Sequence, residues 1–144
     1  MKLIDRTMHN DMSDTQNELS AHAREEIDAL LTRYPAEQKK SALLGTLSIV
    51  QHENQGFLTR ELMKQVADYL DLAEIEVYEV ASFYSMYELK PVARHNVAIC
   101  SNISCMLMGS QSLIDHVQNK LGIKLGESTA DGRIYLKKEE ECLA

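Results

Sequence analysis

The apolar positions in the first part of the chain recur at the spacing of an α-helix. The first predicted helix follows Ser20, whose hydroxyl suits an N-cap, and it runs to Tyr34 with Ala23 and Ile27 on its apolar face. Pro35 is expected to end it, because proline disfavours the α conformation in the residue before it. The pattern therefore predicts an amphipathic helix between Ser20 and Tyr34.

Three further helices are predicted before Pro91, over residues 37–53, 59–69 and 73–87. Thr59 is the predicted cap of the third of these, and Gly56 closes the second. The side chains expected to face inward are Leu43, Leu44, Leu47, Ile49, Val50, Leu62, Met63, Val66, Leu70, Val77, Val80, Ala81 and Tyr84. Short amphipathic helices with short connections predict a helical bundle over residues 19–91.

The pattern changes after Pro91. Residues 96–100 are apolar and predict a strand, whereas residues 106–121 predict a helix that Gly122 ends. A turn signal at Asp131-Gly132 precedes a second strand with Ile134 and Leu136 on one face. The order strand, helix, strand indicates an α/β unit, so the predicted fold class is α+β. Two short strands alone are marginal, so we expect residues 92–144 to be an incomplete domain.

Composition and charge narrow the function classes. The net charge is −7 and the basic residues are scattered, which disfavours nucleic-acid binding. The apolar runs are shorter than the roughly 20 residues that span a bilayer, so direct membrane insertion is not expected. Residues 1–18 lack a sustained period and lack the apolar core of a signal peptide, and we expect a flexible tail. These features predict a cytosolic chain.

The three cysteines are the candidate chemistry. Cys100 and Cys105 form a C-x4-C pair where the predicted strand gives way to the helix, and Cys142 follows the second strand. Two thiols in one such loop can converge on one iron, and the positive end of a following helix favours the thiolate form. The same spacing begins the plant-type 2Fe–2S pattern. A disulfide framework is not expected in a reducing compartment.

Spacing alone leaves four interpretations open: an iron–sulfur site, structural thiols, zinc, and a redox disulfide. Histidine offers no convincing fourth ligand. His95 and His116 each lie roughly 16 Å from the nearer cysteine if the predicted strand and helix are continuous. The sequence itself therefore supplies three good sulfur ligands.

Several neighbouring residues are expected to be structural. Met106 and Met108 beside the second cysteine read most simply as apolar packing. The aromatic residues Phe83, Tyr84 and Tyr87 are expected in the core of the helical half. Gly109 inside the helical pattern indicates either a close approach or an irregular helix start.

Longer motifs then carry a resemblance. The runs EVASFYSMYELKP, VAICSNISCMLMGS and TADGRIYLKKEEECLA, together with RYP at 33–35, LLGTL at 43–47 and QHENQGFLT at 51–59, closely resemble the E-subunit family of bacterial NADH:quinone oxidoreductase. This family is the small iron–sulfur component of the peripheral arm of respiratory complex I. The resemblance covers nearly the whole chain from about Leu19.

The resemblance implies an N-terminal helical bundle followed by a thioredoxin-like domain with one 2Fe–2S cluster. The family's four ligands follow the order C-x4-C, a gap, then C-x3-C. Cys100 and Cys105 match the first pair and Cys142 matches the third ligand, while the fourth would fall two residues past Ala144. We therefore expect a family member shortened at its C-terminus, with weak cluster occupancy because one iron lacks a thiolate.

The function that the resemblance implies is electron transfer beside a flavoprotein subunit that holds FMN and binds NADH. The chain would take part in an oxidoreductase without catalytic residues of its own, and the absence of a Gly-rich dinucleotide motif agrees with this. Its implied partners are that subunit and the other peripheral-arm subunits, on the cytoplasmic face of the inner membrane. Two alternatives remain: the equivalent subunit of an NAD-linked formate dehydrogenase or hydrogenase, and a cluster-free docking module.

Overall fold

A computed structural model describes residues 18–139 of the 144-residue chain. The fold class is α+β, with helices throughout and one small sheet. The chain divides into two compact units, one through Lys90 and one from Pro91 onward.

Helix α1 (Ala21–Leu31) begins as predicted. The Ser20 hydroxyl accepts a hydrogen bond from the Ala23 amide at 2.9 Å and so satisfies one of the amides that lack a partner in the first turn. The same hydroxyl donates to a carboxylate oxygen of Glu53 at 2.6 Å. The helix ends at Leu31, three residues before the predicted end, so Pro35 follows the stop and does not cause it.

The second predicted helix is two elements. Residues Ala36–Ala42 form a 3-10 helix, and helix α2 (Leu43–Glu53) follows it. The 3-10 segment is itself kinked at Gln38, whose φ of −118° and ψ of 35° are not helical. Two of the five predicted inward side chains are not fully buried, because Leu44 is 39% exposed and Ile49 is only half-buried.

Helices α3 (Arg60–Leu70) and α4 (Glu74–Phe83) complete the first unit. Thr59 caps α3 as predicted, accepting a hydrogen bond from the Leu62 amide at 3.2 Å. Helix α4 stops four residues before the predicted end, because Tyr84 turns to extended backbone with ψ of 125°. Fifteen buried residues form the core of this unit, among them Ile27, Leu47, Leu62, Val66 and Val77.

The second unit is built on a three-stranded sheet. Strand β1 (His95–Cys100) pairs in parallel with β3 (Ile134–Glu139), and β3 pairs antiparallel with the short strand β2 (Glu127–Ser128), which was not predicted. The strand order is β1-β3-β2. One face carries a small core of Ile99, Ile114 and Leu136.

The prediction of one continuous helix over residues 106–121 is wrong. Two helices replace it, α5 (Ile103–Leu107) and α6 (Ser110–Leu121), separated at Gly109. Gly109 has a φ of 95°, in the left-handed region that side chains with a Cβ disfavour, and this breaks the helix. Gly122 ends α6 as predicted, also with positive φ.

Candidate functional site

The candidate site lies where β1 ends and α5 begins. Cys100 is the last residue of β1, and Cys105 is the third residue of α5 and not part of a preceding loop as predicted. Both thiols are half-buried, and no disulfide joins them to each other or to another described residue. The two thiols thus lie on consecutive elements that only Ser101 and Asn102 separate.

Local hydrogen bonds fix this junction. The Asn102 side chain accepts from the Ile103 amide at 2.6 Å and caps α5, while the Asn102 carbonyl accepts from the Met106 amide at 2.8 Å. The Ser101 amide donates to the Glu139 carbonyl at 2.8 Å and ties the junction to β3. The position of Cys105 relative to Cys100 is thereby set by backbone geometry.

The sheet register places two charged side chains on the face that bears Cys100. In the parallel pairing of β1 and β3, Cys100 lies opposite Glu139 and Ala98 lies opposite Lys137. Because alternate residues of a strand share a face, Lys137 and Glu139 lie on the Cys100 side of the sheet. Their charged atoms are 3.7 Å apart, and the two side chains are only 13% and 15% exposed.

Glu139 and Lys137 were not identified from the sequence. The oxygen Oε1 of Glu139 is buried and has no hydrogen-bond partner among the residues that the structure describes. The alternation along β3 was visible in the sequence, but the register against β1 was not, and only the register brings this ion pair beside Cys100.

The surface around Cys105 is apolar. Met106 and Met108 are 55% and 88% exposed, so the prediction that they pack in a core is wrong. Ile103 and Leu107 are also exposed. The reason is the length of α5: a five-residue helix broken at Gly109 has too few turns to bury one full face.

Histidine does not join the cysteines. Within residues 18–139, no three side chains of His, Cys, Asp or Glu come close enough together to hold a metal ion. The distance of His116 from Cys105 was predicted for one continuous helix, and it does not apply because α5 and α6 are separate helices. For residues 18–139, the relevant observation is that His116 is not part of such a group. Cys142 lies outside the described residues.

The donor chemistry fits an iron–sulfur cluster. Such clusters are held by cysteine thiolates, and their potential depends on burial and on hydrogen bonds and charges near the sulfurs. Cys100 and Cys105 present two thiols at half-buried positions beside apolar side chains, with a paired lysine and glutamate on the neighbouring strand. The described residues thus offer two thiols of the kind that hold a 2Fe–2S cluster.

Comparison with known proteins gives a family and several relatives. The family model described as "Thioredoxin-like [2Fe-2S] ferredoxin" matches residues 27–144. An NADH-quinone oxidoreductase E subunit of Rhizobium meliloti (strain 1021) is 41% identical over 120 residues, which are 83% of this chain and 69% of the relative. The E subunit of NADH-quinone oxidoreductase from Rickettsia felis is 39% identical over 79% of this chain and 68% of the relative. The protein of the same name in Rickettsia conorii is 37% identical over 81% of this chain and 69% of its own length.

Proposed function

This chain belongs to the thioredoxin-like 2Fe–2S ferredoxin family, and from that premise we propose that its cluster is bound by Cys100, Cys105 and Cys142. The chain is an electron-transfer subunit of NADH:quinone oxidoreductase and part of the peripheral arm of that complex. The three relatives named above are all E subunits of NADH-quinone oxidoreductase, so they do not support the alternative functions that the sequence left open.

The observation that supports the ligand set is the parallel pairing of β1 with β3. It puts Glu139 directly beside Cys100, and Cys142 follows Glu139 by three residues. Three residues of chain can reach about 11 Å at most, so covalent geometry allows the third thiol to join the C-x4-C pair.

The cluster, when bound, supplies reversible one-electron transfer. The residues of this chain hold and tune it. Cys100, at the end of β1, and Cys105, in α5, would hold the iron through their thiolates, and the Asn102 cap fixes the start of α5. The Lys137–Glu139 pair beside Cys100 adds no net charge to the site, because its two opposite charges are 3.7 Å apart.

We propose that the electron donor is the flavoprotein subunit that binds FMN and NADH. The other proposed partners are the remaining subunits of the peripheral arm. The complex brings the chain to the cytoplasmic face of the inner membrane. Among residues 18–139, none of the helices has the length and apolar character needed to cross a membrane. We propose that the chain reaches the membrane surface through its partners in the complex.

The ligand set is tested by thiol protection. The chain is reconstituted anaerobically with ferric iron and sulfide, and the cysteines are then alkylated with iodoacetamide and quantified by mass spectrometry. We expect Cys100, Cys105 and Cys142 to become protected together, with an absorption band in the visible region that dithionite bleaches. Because four thiolates complete such a site and the chain has three cysteines, added mercaptoethanol should raise the iron and sulfide content.

Single substitutions identify each ligand. Cys100→Ser, Cys105→Ser and Cys142→Ser should each lower the bound iron at least severalfold, while the control Ser104→Ala in the same short helix should not. Circular dichroism at 222 nm should stay unchanged, because the helical unit has a core of its own. Full iron and sulfide content in Cys142→Ser would remove that residue from the ligand set.

A further inference from the structure

The ion pair between Lys137 and Glu139 is buried, although it lies in a small unit with few core residues. The two side chains are only 13% and 15% exposed, whereas Lys40 and Glu76, which form an ion pair in the helical unit, are 62% and 35% exposed. Burying an ion pair contributes little net stability, because both charges lose their hydration. Stability therefore does not explain why two charges are buried here.

This ion pair carries the charge of one face of the sheet. The register and the alternation of side chains along each strand decide which residues share the face that bears Cys100. Apart from Lys137 and Glu139, the strand residues on that face are uncharged at neutral pH: Asn96, Ala98, Ser128 and Tyr135. Within the described strands, the electrostatic effect of this face on a group held by Cys100 therefore comes from the ion pair.

The register also places the carboxylate close to Cys100. Glu139 lies opposite Cys100, and neighbouring strands are about 4.8 Å apart, so the carboxylate is within roughly 10 Å of the Cys100 sulfur. Its oxygen Oε1 is buried and accepts no hydrogen bond from the residues that the structure describes. The Lys137 ammonium, 3.7 Å from Oε2, is the ion-pair partner that the structure gives this carboxylate.

We propose that Lys137 and Glu139 set the reduction potential of the 2Fe–2S cluster through their opposite charges. This proposal rests on the proposed function, since it needs Cys100 to hold the cluster. Reduction adds one electron, taken from a reduced flavin, and forms or breaks no bond to this chain, so the site gains one negative charge. The Lys137 ammonium favours that charge and raises the potential, whereas the Glu139 carboxylate opposes it and lowers the potential.

The expected size follows from Coulomb's law. At an effective dielectric constant of about 20, two unit charges roughly 10 Å apart change an equilibrium constant by about tenfold. For a one-electron couple, a tenfold change corresponds to about 59 mV. The two effects largely cancel in the wild-type chain, because the opposite charges are only 3.7 Å apart.

The test measures the midpoint potential of the full chain after reconstitution with iron, sulfide and mercaptoethanol, by redox titration followed through the visible absorption band and EPR. Glu139→Gln should raise the midpoint potential and Lys137→Met should lower it, each by about tenfold in the reduction equilibrium. Exchange of the two residues, Lys137→Glu with Glu139→Lys, should also raise it, because the positive charge then lies opposite Cys100. The exchange leaves neither buried charge without its counterpart, so it tests the proposal even where a single substitution prevents folding.

Lys138→Met is the matched control. It removes the same charge as Lys137→Met from the next residue along β3, but Lys138 is exposed and lies on the opposite face of the sheet. Since water and salt screen exposed charges, its reduction equilibrium should change less than about twofold. A shift as large as that of Lys137→Met would mean that only the net charge of the chain matters, and it would overturn the proposal.

Three other results also decide against the proposal. Equal midpoint potentials of the wild-type chain, Glu139→Gln and the exchange variant overturn it. Shifts of the same sign in Glu139→Gln and Lys137→Met overturn it too, because a structural role, unlike a charge effect, does not reverse with the sign of the charge removed. Loss of bound iron in the exchange variant, with unchanged circular dichroism, would assign the ion pair to binding of the cluster and not to its potential. Failure of the proposed function looks different, since the wild-type chain itself would take up no iron and sulfide, and this inference would fall with it.

Discussion

Substitution of Leu136 by alanine should unfold the second unit and leave the helical unit folded. Leu136 is fully buried in β3 and is one of the three buried apolar side chains that form the described core of that unit. Removing three carbon atoms costs about 2.4 kcal/mol in transfer free energy, and the remaining cavity raises the cost to about 3 kcal/mol or more.

The size of the unit decides the outcome. A core in a unit of this size rarely supplies more than about 3–5 kcal/mol, so this single change removes most of its free energy of unfolding. The helical unit has fifteen buried core residues and shares none of them with the second unit. Loss of Leu136 should therefore have little effect on α1 to α4.

Hydrogen exchange followed by mass spectrometry separates the two units. In Leu136→Ala, peptides from β1, α6 and β3 should lose protection, while peptides from α1 to α4 keep it. The matched control is Val97→Ala, because Val97 is the register partner of Leu136 but is 37% exposed, so its truncation should cost less than about 1 kcal/mol. Equal loss of protection in all four helices, or equal effects of the two substitutions, would refute this reasoning.

Two further outcomes are expected. In Gly109→Ala, the new Cβ meets nothing within 4 Å, so the only cost comes from the φ of 95° and should be about 1–2 kcal/mol. Chemical denaturation of the second unit should show this loss of stability. An unchanged midpoint would mean that the break between α5 and α6 does not need glycine. Burial raises the pKa of Tyr87 above its usual 10.0, so the neutral phenol is favoured by folding, and this contribution is present below pH 10 and lost as the pH rises through the folded pKa. The stability of Tyr87→Phe, which also loses the 2.8 Å hydrogen bond to the Leu44 carbonyl, should accordingly fall less steeply above pH 10 than that of the wild-type chain, and parallel curves would contradict this.

Much of the helical unit follows from local sequence. Ser20 and Thr59 act as caps and Gly122 ends α6, as predicted, because each device involves residues only three or four positions apart. The inward face of α3 was also predicted correctly, since Leu62, Met63, Val66 and Leu70 recur at helical spacing and are all buried. Fold class and family are confirmed on the same basis of pattern and motif.

The errors concern ends and exposure. The fourth helix is shorter than its apolar pattern, and the helix expected after Cys105 begins earlier and breaks at Gly109. Periodicity marks which residues are apolar, but it does not say which apolar face has a neighbour to pack against. Phe83 and Met108 are exposed for that reason.

The sequence by itself determined where α1 and α3 start, which residues of α3 face the core, and that two thiols stand beside a strand with four residues between them. Only the tertiary structure decided that Glu139 lies next to Cys100, that Lys137 shares this face, and that Phe83 of α4 is exposed. The physical reason is range: caps and helical periods depend on neighbours along the chain. Strand register and burial depend on segments that are far apart in sequence and meet only after folding.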